Sequence, residues 1–249
     1  MSLSATPDAT SAGPESIFLS DPDRSTQTLR FVLAQTRNRY WKFKDKVEDH
    51  VALEPTQYMF DQVKSQFLAA GATVTRVDRI ENTRLWKRFS GRRHEIETAL
   101  QGITPDDCTP LTSVIDLSVN ECLFWHGTSI KGGKMIANTG FDERIARLRG
   151  LSGAGNYFAE SIEKSMGYVS GGGPDPNTGE YCMLLCRVIL GEPHQISKHF
   201  GANHRLPPTK NANGERYDSV VVHPPGAHRE FIVYDGDQTY PEFMIRFTA

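Results

Sequence analysis

The residues best suited to chemistry are a histidine closing an apolar run, a serine and tyrosine one helical turn apart, a second tyrosine just ahead of them, and a glutamate opening another apolar run. The histidine is His126 in ECLFWHGTS, Glu121–Ser129. Either imidazole nitrogen can donate or accept a hydrogen bond, and a strand that ends on it can aim it into a cleft. Gly127 follows; without a Cβ, its N–H and C=O can approach an amide edge closely. In GNYFAESIEKSMGY, Gly155–Tyr168, Ser165 and Tyr168 share a helix face. A hydroxyl able to bind an amide oxygen then lies beside a ring able to stack on a flat aromatic, and Tyr157 can form the other wall. Glu230, in REFIVYD at Arg229–Asp235, precedes the apolar FIVY. A carboxylate beside a buried strand needs compensation or a task. It can polarise a hydroxyl or stabilise positive charge developing on a sugar carbon. Singly, each residue has a plainer alternative: a histidine satisfying a turn, aromatics of the core, a glutamate facing water at a strand edge.

Other chemistries find less support. Cys182 and Cys186 lie on one face of an expected strand but about 13 Å apart. His194, His199 and His204 match no ligand spacing, so no metal is expected. There is no GxxxxGK[ST] phosphate loop, and no GxGxxG follows a strand. With 28 basic and 30 acidic side chains, no net charge points to nucleic acid or an anionic membrane. The basic cluster KRFSGRR, Lys87–Arg93, reads as a solvated helix surface. No apolar run approaches the roughly 18–20 residues that span a bilayer. The start lacks the basic and hydrophobic regions of a secretory signal. Four cysteines, Cys108, Cys122, Cys182 and Cys186, are too sparse for an extracellular disulfide scaffold. An intracellular protein, cytoplasmic or nuclear, with reduced thiols is the expectation.

The elements that must position these residues follow from periodicity. Residues 1–26, rich in Ser, Thr, Ala, Asp and Pro, read as a flexible extension. Residues 27–119 read as the N-terminal portion of one catalytic unit, with LRFVLAQ, Leu29–Gln35, as its first folded stretch. Met59, Phe60, Val63 and Phe67 predict a helix over Thr56–Ala70 that Gly71 can end. VTRVDRI, Val74–Ile80, predicts a short strand. Leu85, Phe89, Ile96 and Leu100 predict a helix from Thr83 to Leu100. Residues 120–249 then carry strand candidates in CLFWH, YCMLLCRVIL, DSVVVH, EFIVYD and EFMIRF. Helix candidates lie at Lys131–Ala137, Phe141–Arg147 and Ser161–Val169. The order does not repeat βαβ units, which predicts an α+β domain around a split antiparallel sheet with flanking helices. The segment from Gly191 to Tyr217 reads as a long loop over a cleft.

Read in series, these segments resemble the catalytic domain of the poly(ADP-ribose) polymerase family over Pro55–Phe247, with its tankyrase-type members looking nearest. WHGTS resembles the family's histidine motif and GNYFAESIEKSMGY its tyrosine and nicotinamide-pocket motif. LLCRVILGE resembles the strand before the donor-site loop, and REFIVYDGDQTYPEFMIRF the glutamate strand and closing hairpin. The resemblance implies the ADP-ribosyltransferase fold and a triad of His126, Tyr157 and Glu230. It implies NAD+ as the ADP-ribose donor, with nicotinamide released. Gly127 and Ser165 would hold the nicotinamide amide, and Tyr157 and Tyr168 would flank its ring. His126 would bind a ribose hydroxyl on the adenosine side. Ser129, Asp142 and Arg144 are further adenosine-side candidates. The intact triad favours polymer formation, with single-unit transfer or a silent NAD+-binding module as alternatives. Protein acceptors and automodification are the expected partners, and a nucleic-acid end is a further candidate. Two departures stand out: GGGPDPNTGE replaces the tankyrase zinc hairpin, so no zinc is expected there, and Asn156 stands where an apolar residue commonly precedes the tyrosine.

Overall fold

The computed structural model describes residues 52–53, 57–100, 114–142, 144, 150–170 and 173–249. The readings of residues 1–26, of Leu29–Gln35 and of Cys108 lie outside them. In chain order the elements are β1 (Ala52–Leu53), α1 (Gln57–Ala69), β2 (Thr73–Ile80), α2 (Thr83–Ala99), β3 (Val114–Asp116), β4 (Glu121–Thr128), α3 (Ile130–Thr139), β5 (Asn156–Ala159), α4 (Ile162–Ser170), β6 (Tyr181–Ile189), β7 (Pro193–Ile196), β8 (Ser219–Val222), β9 (Glu230–Val233), a 3-10 turn (Gly236–Gln238) and β10 (Thr239–Thr248).

The strands form one sheet in the order β1-β2-β10-β6-β4-β5-β9-β8-β7, with β3 added beside β4. Every pairing is antiparallel except β7 with β8. β1 and β2, which precede residue 120, pair directly into the sheet built by the rest of the chain.

The long apolar run of β6 follows from its place. It lies between β4 and β10 and is covered on both faces, so alternation is lost. Met183 and Leu185 pack with Val63 and Phe67 of α1 and with Ile162 and Val169 of α4. Cys182, Leu184, Cys186 and Val188 pack on the opposite face with Ile130, Ile136 and Ala137 of α3. Burial pushes the Cys182 thiol up to about 12 and raises that of Cys186 too, so neither supplies a ready thiolate.

The helix ends use the expected chemistry and some that was not expected. α1 stops at Gly71, whose φ is +79°. The Ala72 N–H donates to Phe67 O at 2.9 Å and the Gly71 N–H to Leu68 O at 3.0 Å, the paired bonds of a Schellman cap. α2 buries Leu85, Phe89 and Ile96 as predicted. Its N-cap is Asn82, whose Oδ1 accepts from the Leu85 N–H at 3.1 Å. The same side chain donates from Nδ2 to Ala137 O at 3.0 Å, which ties α2 to the end of α3. The helix read over Phe141–Arg147 does not form in its described part: Phe141 and Asp142 have no regular structure and Arg144 lies in a turn.

Candidate active site

The site is built where the sheet splits. β4 and β5 share a single residue pair, Trp125 with Ala159. β4 continues against β6 as far as Thr128, whereas β5 stays with β9. The side chain of His126 enters the wedge that opens between them. Its Nδ1 lies 2.8 Å from the backbone oxygen of Tyr157. A carbonyl only accepts, so Nδ1 carries the proton and, in the neutral ring, Nε2 keeps a free lone pair. Phe141 and Phe158 pack against the ring, with centroids 5.0 and 5.5 Å away. Burial pulls the His126 pKa down, opposed by the bond to Tyr157. The imidazole is thereby held neutral and fixed in orientation.

A cavity of about 440 Å³ opens beside it, within the usual range of small-molecule sites. His126, Gly127, Phe141, Asp142, Asn156, Tyr157, Ser165 and Tyr168 all line it. α4 supplies Ser165 and Tyr168 from one face, as their spacing predicts. Ser165 is buried, with its hydroxyl 3.4 Å from Trp125 O. Gly127 makes this approach possible. A Cβ there would stand 2.7 Å from Val169 Cγ2 and inside van der Waals contact of the Ser165 backbone oxygen. Gly127→Ala is therefore expected to push α4 away and lower stability by about 1–3 kcal/mol. A urea midpoint equal to that of the wild type would show that α4 yields without cost.

Tyr157 is held through its hydroxyl, which donates to Gly153 O at 2.9 Å and accepts from the Ser152 N–H at 2.8 Å. Glu230, 4% exposed, opens β9. The Tyr168 hydroxyl donates to its Oε2 at 3.1 Å, and Lys164 Nζ lies 2.6 Å from its Oε1. Burial, then the Glu230 charge, raises the pKa of Tyr168 well above that of a free phenol. Tyr157 shifts the same way, chiefly through burial.

His126, Tyr157, Tyr168 and Glu230 thus come together, as do Gly127 and Ser165. Two of the remaining candidates do not line the cavity. The Ser129 hydroxyl is used as the N-cap of α3, accepting from the Gly132 N–H at 3.0 Å. Arg144 is exposed and folds back onto Asp142 through Nε at 2.8 Å. Asp142 itself lines the cavity. Its carboxyl is held below the usual range, chiefly by that bond.

Two neighbours of the site were missed in the sequence, and a third, Asn156, was noted there only as a departure. Lys164 adjoins Ser165 and sits four positions before Tyr168, so helical spacing alone could have placed it at the site. His199 lies in the loop after β7, with Nε2 3.7 Å from Glu230 Oε2; nothing local signals that. Asn156 is buried at the cavity wall, and its Nδ2 has no hydrogen-bond partner. A buried donor left without a partner costs free energy, so this amide suits a ligand oxygen more than it suits the fold.

No three His, Cys, Asp or Glu side chains cluster to hold a metal ion among the described residues. No helix among them is long and apolar enough to cross a membrane.

A split antiparallel sheet with flanking helices, and a cavity at the split, define an ADP-ribosyltransferase-like domain. The poly(ADP-ribose) polymerase catalytic domain matches residues 56–249, and the chain belongs to that family. Membership implies NAD+ as donor substrate. The protein mono-ADP-ribosyltransferase PARP12 of Mus musculus is 26% identical over 71% of this chain and 22% of its own length. The protein mono-ADP-ribosyltransferase PARP11 of the same species is 24% identical over 79% of this chain and 60% of its own length. A Dictyostelium discoideum relative named a probable poly [ADP-ribose] polymerase is 28% identical over 70% of this chain and 44% of its own length. The chain therefore spans only part of the length of each of these relatives.

These relatives correct two expectations. The likeness to tankyrase-type members gives way to one with PARP11 and PARP12, and the preference for polymer formation gives way with it, since both are named mono-ADP-ribosyltransferases in mouse and in human. The motifs that suggested tankyrases are those the family shares, so they could not rank its members.

Proposed function

We propose that this domain transfers a single ADP-ribosyl unit from NAD+ to a macromolecular acceptor, a protein side chain or the enzyme itself, and releases nicotinamide. The observation that carries the reading is the convergence at the sheet split. A neutral, tethered histidine and two tyrosines line one cavity, and a buried carboxylate accepts from the hydroxyl of one of those tyrosines. The names of the mono-transferase relatives support the single-unit product.

The residue types suit the task. Tyr157 and Tyr168 offer faces for the flat nicotinamide ring, and Gly127 with Ser165 offers polar groups for its carboxamide. His126 Nε2 accepts a ribose hydroxyl. Held rings and a tethered imidazole fix the donor's orientation before the bond breaks. Glu230 binds a hydroxyl of the nicotinamide-side ribose and stabilises the positive charge that grows on that sugar as nicotinamide leaves. Lys164 and Tyr168 hold the carboxylate in place for this.

The test is incubation with NAD+ labelled in its adenylate part, with nicotinamide assayed in parallel. The expected outcome is one band per acceptor on a denaturing gel and about one nicotinamide released per unit incorporated. A ladder of lengthening products would overturn the single-unit reading. Absence of nicotinamide would overturn the enzyme.

A further inference from the structure

The loop after β7 does not hang free over the cavity. It is stapled to the segment just before β5. The Gly201 N–H donates to Leu151 O at 2.9 Å, and the Ala154 N–H donates to His204 O at 2.7 Å. Gly153 permits this approach: its φ is +82°, and a Cβ there would stand 2.8 Å from the His204 Cβ. Just ahead of these staples on the loop, His199 places its Nδ1 2.8 Å from the hydroxyl of Ser152, which is wholly buried. The His199 side chain, 19% exposed, thus presents Nε2 to Glu230 Oε2 across 3.7 Å.

That distance is too long for a hydrogen bond. Either tautomer satisfies the Ser152 hydroxyl; in the one whose Nδ1 donates to Ser152 Oγ, the Nε2 lone pair faces a carboxylate oxygen. That oxygen already accepts from Tyr168 and has a second lone pair free. What such a gap lacks is a proton. A hydroxyl oxygen placed about 2.7–3.0 Å from both atoms spans it.

The geometry points to His199 as the proton acceptor for the incoming nucleophile, and to a hydroxyl, such as that of a serine side chain, as the nucleophile this site takes. The inference rests on the transferase reading above. The acceptor oxygen bonds to the anomeric carbon of the nicotinamide-side ribose as the bond from that carbon to the pyridinium nitrogen breaks. The electron pair of the broken bond stays on that nitrogen, giving neutral nicotinamide, and the hydroxyl proton passes to His199 Nε2. Lys164 engages the other Glu230 oxygen at 2.6 Å, which leaves that carboxylate to steady the sugar while the imidazole takes the proton. A carboxylate acceptor would bring no proton and would set a second negative charge against Glu230.

The experiment uses labelled NAD+ and two peptides that differ only in carrying serine or glutamate at the acceptor position. The readings are label on each peptide and nicotinamide released. Wild type is expected to label the serine peptide faster. His199→Asn keeps a polar atom near Ser152 but offers no base, and should lower the ratio of serine to glutamate labelling about 100-fold with little change in the KM for NAD+. Added imidazole should restore part of the serine rate of His199→Ala, a recovery that loss of a merely structural contact would not show. A wild type that prefers the glutamate peptide, an unchanged ratio in His199→Asn, or no recovery with imidazole would overturn the assignment while leaving the transferase intact. No nicotinamide from the wild type would overturn both.

Discussion

Glu230→Gln is expected to lower kcat about 10²–10³-fold while leaving the KM for NAD+ within a few-fold. The side chain is replaced by one of nearly the same shape, so the cavity and the two tyrosines keep their places. What changes is charge. The carboxylate is 4% exposed and flanked by Lys164 at 2.6 Å and the Tyr168 hydroxyl at 3.1 Å. Its charge is poorly screened there and acts strongly on a sugar that becomes electron-poor only in the transition state. A neutral amide keeps an acceptor oxygen for one of these donors. Its NH2 must then face the other, an ammonium or a phenolic hydroxyl, and neither Lys164 nor the sugar finds the negative charge it needs. With the donor held, as proposed, by the ring walls and the Gly127–Ser165 edge, the loss should appear in kcat. Single-turnover nicotinamide release beside a direct NAD+ binding measurement separates the two. Equal release rates in variant and wild type would remove Glu230 from the chemistry.

How much of this was legible depended on how local each device is. β6 could be read because burial on both faces leaves an unbroken apolar run. α2 could be read because Leu85, Phe89 and Ile96 repeat at helical spacing. Ser165 and Tyr168 could be placed on one wall for the same reason. The tether of His126 to the Tyr157 carbonyl could not be read, because it exists only where two strands part. His199 was equally hidden: its partners, Ser152 and Glu230, lie far off on either side in the sequence, and only the folded loop brings the three together. Ser129 shows the opposite failure. Its position beside the histidine motif suggested a ligand contact, yet a serine directly before a helix satisfies an orphan N–H more cheaply by capping it. The identity of Glu230 could not decide how many units are added. The names of the mono-ADP-ribosyltransferase relatives turn that reading, not any residue of the site.

Arg187→Ala is expected to cost about 3–5 kcal/mol, a large share of a typical domain's stability. Arg187 sits on the central strand β6 and is 4% exposed. Its NH1 donates to Glu121 Oε1 at 2.6 Å, and its Nε donates to Glu242 Oε1. Glu121 opens β4 and Glu242 lies in β10, so this one guanidinium joins the three strands that carry the His126 side of the split. Burial alone would lower its pKa, but the two carboxylates outweigh that and hold it charged. Removing it takes the shared guanidinium away from two buried carboxylates. Arg93, whose Nε is 3.3 Å from Glu121 Oε2, still pairs the first. The penalty is one of uncompensated charge more than of lost attraction, which makes a second outcome predictable. Arg187→Met combined with Glu121→Leu and Glu242→Leu should recover most of the loss, because an apolar trio of similar volume leaves no charge among the three, and Arg93 keeps Glu97 and Asp116. Urea denaturation of the wild type, the single variant and the triple variant gives both numbers. A single variant that unfolds at the wild-type midpoint, or a triple variant less stable than the single one, would show that Arg187 holds the three strands by some means other than neutralising their buried charge.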